Sequence, residues 1–164
     1  MTTRKKYPKE FKLDAVSLVL EQEYTKAEAS RSLGINPNLI AKGVAGLPTL
    51  NVHLRNANMT AADAKIIANA LDRTPVFELA RLGSFSLSYN AIGDEGAKNL
   101  ADSLPATLTE LGLVGCSIGD RGGKAILDWA KHANGLQMIC IEDNKMSDEM
   151  RKHFGRLKGV SIFA

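Results

Sequence analysis

Four copies of one strand signature in the last two-thirds of the chain leave it few folds. They read Val52-x-Leu54-x-x-Ala57-x-Met59, Phe85-x-Leu87-x-x-Asn90-x-Ile92, Leu111-x-Leu113-x-x-Cys116-x-Ile118 and Ile139-x-Ile141-x-x-Asn144-x-Met146. The copies start 33, 26 and 28 residues apart. A period of that size means supersecondary units that cannot bury their apolar face alone and stack to do so. Alternation along each strand sends Leu54, Leu87, Leu113 and Ile141 inward and their neighbours to the opposite sheet face. Those outward neighbours include His53, Arg55, Ser86, Ser88, Val114, Cys140 and Glu142. A helix follows each signature. Thr60 is a candidate N-cap for the first, Gly93-Asp94-Glu95 opens the second, and Ser147 or Asp148 caps the last. The inner stripes are Ala64, Ile67, Ala68 and Leu71; then Ala97, Leu100, Ala101 and Leu104; then Gly123, Ile126, Leu127 and Ala130; and finally Phe154 and Leu157. Asp63, Asp94, Asp120 and Asp148 suit the positive ends of these helices. The five surplus residues of the first spacing fall near residues 73–80 and predict a widened return loop. Val160-Ser161-Ile162-Phe163 predicts a fifth, closing strand whose apolar end invites a partner or a second copy of the chain.

The paired segments Leu87-Ser88-Tyr89-Asn90-Ala91-Ile92-Gly93-Asp94-Glu95-Gly96-Ala97 and Leu113-Val114-Gly115-Cys116-Ser117-Ile118-Gly119-Asp120-Arg121-Gly122 carry the pattern best. This pattern resembles leucine-rich repeats of the ribonuclease-inhibitor type over residues 47–164. The resemblance implies an α/β solenoid of four repeats plus the closing strand, with parallel strands on a concave face and helices on a convex one. It places Asn90 and Asn144 at the family's ladder position, where a buried amide bonds the backbone of adjoining turns. Cys116 is an accepted alternative there, whereas Ala57 lacks the bonding group.

Residues 1–46 read differently. Pro8 and the apolar run Phe11, Ala15, Val16, Val19 and Leu20 predict a helix over 8–22. Thr25 with Glu28 starts a second helix by a capping box, Gly34 ends it, and Asn36-Pro37 opens a third. Helices so spaced make a helix-turn-helix. Arg4-Lys5-Lys6-Tyr7-Pro8-Lys9-Glu10-Phe11 and Ala27-Glu28-Ala29-Ser30-Arg31-Ser32-Leu33-Gly34-Ile35-Asn36-Pro37-Asn38 resemble the small DNA-binding subunit of insertion-sequence transposases. The match runs over residues 4–42. It implies base contacts from Asn38 and Lys42, and phosphate contacts from Arg4, Lys5, Lys6, Lys9 and Arg31. Gly43 departs from the family, which places an aromatic residue there. Charge agrees with an anionic partner. Of the net +3, all lies in residues 1–46, where eight Lys and Arg meet five Asp and Glu.

Chemistry is not expected of this chain. His53, His132 and His153 fall on different faces of different repeats, and His53 is separated from Cys140 by about three strand spacings, roughly 14 Å. That is too far for a nucleophile and its base. The glycine-rich turns recur with the repeat and lack the Lys-Ser/Thr ending of a P-loop. No catalytic, metal or cofactor site is therefore predicted. Two cysteines make no disulfide framework, and no secretory or membrane-spanning run is present, which suggests a cytoplasmic protein. Three functional readings follow. The first is a non-enzymatic module binding a protein partner through the repeat surface. The second is a double-stranded-DNA-binding protein of the transposase small-subunit type. The third is a gene-fusion product without evolved function, suggested by the abrupt passage from Ala41-Lys42 into the first strand.

Overall fold

The computed structural model describes residues 49–164. The segment read as a helix-turn-helix, with the residues expected to contact DNA, Arg4, Lys5, Lys6, Lys9, Arg31, Asn38 and Lys42, lies outside the described residues. Strands and helices alternate: β1 (Leu50–His53), α1 (Ala61–Arg73), α2 (Val76–Leu79), β2 (Leu82–Ser86), α3 (Gly93–Ser103), β3 (Glu110–Gly112), α4 (Asp120–Ala130), β4 (Met138–Cys140), α5 (Asp148–Phe154) and β5 (Ser161–Phe163). The short helix α2 occupies the stretch expected to be a plain return loop. Thr49–Thr74 and Leu79–Ala164 form one compact unit.

Within that unit the strands make a five-stranded parallel sheet in sequence order. The register joins Val52 to Phe85, Phe85 to Leu111, Leu111 to Ile139 and Ile139 to Ile162. The apolar signature columns therefore stand side by side, as the repeat spacing requires, and the closing strand pairs as predicted. Leu87, Leu113 and Ile141 are fully buried and join Ala97, Leu100, Ile126, Leu127 and Phe154 in one core between sheet and helices. Leu54 does not follow its column. It is 37% exposed, as are Leu50 and Val52 to similar degrees, because β1 is an edge strand covered from the β2 side.

Each turn is tied to its neighbour by polar side chains as well as by the sheet. The Asn90 amide donates to the Leu54 and Leu87 carbonyls, at 2.7 Å each, and its oxygen accepts from the Ala57 and Met59 N–H groups. Asn144 does the same two turns along, donating to Leu113 and Ile141 and accepting from Cys116 and Ile118. The ladder amide thus serves the turn before it, so Ala57 in the first described repeat leaves no described earlier turn unserved. Cys116 fills the position with a thiol donating to the Leu87 carbonyl at 3.3 Å. Burial raises its pKa above the usual thiol range, so it stays neutral there.

A second ladder runs the other way along the helix side. Asp94 sits in the first turn of its own helix, as expected. Its carboxylate also reaches the following repeat, accepting from the Gly119 and Gly122 N–H groups at 2.7 and 2.9 Å at the start of α4. Asp120 likewise accepts from Ser147 N–H at 2.7 Å, at the start of α5. Unpaired N–H groups at a helix start need an acceptor, and the preceding repeat supplies it. The first helix is closed locally, by a capping box of Thr60 and Asp63. Ser147 takes the capping role that the sequence left open between it and Asp148, accepting from Met150 N–H. Small residues allow the helices to approach. A Cβ on Gly122 would lie 2.7 Å from the Asp94 carboxylate and 2.9 Å from Ile118 Cγ2.

Candidate interaction surface

The sheet face opposite the helices is built by the residues that alternate with the core columns. In register across the strands stand His53, Ser86, Gly112, Cys140 and Phe163. Two residues further along each turn come Arg55, Ser88, Val114 and Glu142, in the turns that leave the strands. The seven residues expected on this face, His53, Arg55, Ser86, Ser88, Val114, Cys140 and Glu142, all line one open groove of 350 Å³. Ser84, Tyr89, Glu110, Gly112, Met138 and Asp143 line it too. Ser86 and Ser88 face the groove but are sunk, at 9% and 2% exposure. Their short side chains bond each other at 3.1 Å, and Ser88 Oγ accepts from Val114 N–H. A Cβ on Gly112 would sit 2.7 Å from Ser86 Oγ, so the centre of the groove is a floor of backbone and hydroxyls.

Charge is divided across this floor. His53 and Arg55 occupy the β1 side, with His53 Nε2 2.8 Å from Ser84 Oγ. Glu110, Glu142 and Asp143 occupy the β3 and β4 side. One carboxylate oxygen of Glu142 is buried with no hydrogen-bond partner among the described residues. Cys140 lies on the acidic side, at the end of β4. Its pKa is raised, first by burial and then by the charges of Glu142 and Glu110, with Arg55 opposing. A thiol held neutral in this way is a poor nucleophile.

Tyr89 is the residue that column reading missed. It is 48% exposed, its ring lies 5.5 Å from the Arg55 guanidinium, and its other edge leans over Gly115, whose missing Cβ makes the room. Its φ is +62°, in the left-handed region. The equivalent turn residues are Asn56, Gly115 and Asp143, all with φ between 51° and 61°. Asn, Gly and Asp enter that region at low cost and a tyrosine does not. Aligning the repeats at the second residue after the inner leucine exposes the odd one out.

The helix side carries a larger groove of 650 Å³ between α3 and α4, bordered by Trp129. Four of its six charged groups are paired, Arg121 with Glu95 at 2.6 Å and Lys124 with Asp128 at 2.7 Å, and the Trp129 indole donates to the Leu104 carbonyl. His132 and His153 bond carbonyls four residues back in or beside their own helices. Among the described residues no group of three or more His, Cys, Asp or Glu is placed to hold a metal ion. No helix of the described residues is long and apolar enough to cross a membrane.

Two family models match the chain. Residues 82–101 and 105–127 match the leucine-rich repeat, which falls on β2–α3 and β3–α4. Residues 1–45 match a helix-turn-helix segment described as transposase. No curated protein matches the chain. The chain thus joins a segment similar to a transposase helix-turn-helix to a stack whose central turns are leucine-rich repeats.

Proposed function

We propose that the chain is a protein-interaction module whose repeats, residues 47–164, hold a protein partner on the open sheet face. One observation carries this reading. A turn that favours Asn, Gly or Asp holds instead a half-exposed tyrosine beside an arginine, over a groove that no part of the described chain fills. Backbone cost retained at an exposed aromatic residue points to use of that residue. Tyrosine and arginine are also the side chains most often found at the centres of protein interfaces. Capture of partners by the full-length chain tests it. Val114→Arg, which fills the groove, is expected to abolish capture, while Lys98→Glu on α3 leaves it intact. The opposite pattern would move the binding surface to the helices and refute the reading.

A second reading is favoured by the transposase match and by the basic excess of residues 1–46. In it this segment binds duplex DNA, and the repeats recruit a partner to it. Genuine phosphate contact is expected to weaken steeply between about 50 and 200 mM salt as counterions are released. Lys5→Ala with Lys6→Ala is expected to lower affinity for every sequence. A micromolar concentration of protein that leaves duplex DNA unshifted at the lower salt would end this reading.

A further inference from the structure

The row Arg55, Ser88, Val114, Glu142 crosses the strands at the end of the groove, one residue from each turn. A cation stands at one end and an anion at the other. Three strand spacings separate them, about 14 Å. Arg55 has its guanidinium over the Tyr89 ring, which holds it in place, and no carboxylate is bonded to it among the described residues. Glu142 keeps one buried carboxylate oxygen without a partner, and Asp143 adds charge beside it. Between the ends, among the described residues, the row holds a sunken serine and a half-buried valine.

We infer that this row receives an extended segment of the partner carrying one acidic and one basic side chain, the acid at Arg55 and Tyr89, the base at Glu142 and Asp143. An extended chain rises about 3.3 Å per residue, so the two charges stand about four residues apart. The inference rests on the interaction reading above and gives that surface its ligand chemistry. A like-charged segment meets repulsion at one end of the row, and a neutral one leaves both charged ends without a partner. Charge complementarity of this kind selects partners and fixes their register more than it sets raw affinity.

The test uses the full-length chain and four blocked pentapeptides: Asp-Thr-Val-Thr-Lys, Lys-Thr-Val-Thr-Asp, Lys-Thr-Val-Thr-Lys and Asp-Thr-Val-Thr-Asp. Binding is read from amide NMR shifts. The first two cover both chain directions, and one of them is expected to bind about tenfold more tightly than either like-charged peptide. Shifts should centre on Arg55, Tyr89, Val114 and Glu142. Arg55→Glu is expected to weaken the mixed peptide and strengthen the doubly basic one, a gain that misfolding could not produce. Equal binding of mixed and like-charged peptides on this face would overturn the inference while leaving the interaction reading standing. Stationary groove amides with all four peptides at millimolar concentration would also overturn it, and the interaction reading would then rest on the capture experiment alone.

Discussion

At the scale of single residues, Tyr89 is where fold and function pull apart. A left-handed backbone costs an L-residue about 1–2 kcal/mol, and Asn escapes most of that. Tyr89→Asn would give the second turn the residue type that Asn56 provides in the first. Its ring is half exposed, so little buried area is lost in exchange. The variant is expected to gain about 1 kcal/mol of stability in urea unfolding, and to lose partner capture. A variant less stable than the parent would mean that the ring packs more than its exposure suggests. The sequence displayed Tyr89 as plainly as its neighbours. Apolar columns at Leu54, Leu87, Leu113 and Ile141 say which side chains face inward, but the sign of φ two residues on emerges only when the turns are compared with each other.

Between elements, the two ladders divide the labour of joining repeats. Asn144 serves Cys116 and Ile118, both fully buried, whereas Asn90 serves Ala57 and Met59 on the exposed edge. Removing a partner from a buried donor costs about 1–3 kcal/mol, and an exposed donor turns to water instead. Asn144→Ala is therefore expected to destabilise the chain by about 3 kcal/mol or more, and Asn90→Ala by clearly less, in matched urea titrations. Equal losses would contradict the inward and edge placement of the two turns. On the helix side, the Ser147 N–H bond holds the Asp120 carboxyl below the usual aspartate range. Its contribution is fully present above the unfolded value, about 3.9, and disappears as pH falls through the lower folded value. Asp120→Asn should thus narrow the stability difference between neutral and acid pH. A variant with the parent's acid slope would exclude Asp120 as a contributor. Gly122 reads in sequence as part of a glycine-rich turn. Gly122 is instead a close-packing position beside Asp94, a role set by the distance between repeats and invisible within one.

Over the whole unit, the stack is legible because its parts repeat. Spacings that differ between copies still bring Val52, Phe85, Leu111 and Ile139 into one register, since extra residues such as those before β2 are taken up outside the strands. The groove residues followed from the same alternation. Its charge division was legible too, in Arg55 against Glu142, but the unpaired oxygen and the Tyr89 ring depend on how turns meet in space. Leu54 escaped because a column cannot say where a stack has an edge. The account's central claim is that neighbouring turns complete each other's buried face, and native-state hydrogen exchange of the full-length chain tests it most directly. The Leu87 and Leu113 amides, bonded to the Gly112 and Cys140 carbonyls, are expected to exchange only through global unfolding, with the Leu54 amide exchanging far sooner. Leu87 and Leu113 exchanging as fast as Leu54 would contradict the stacked core.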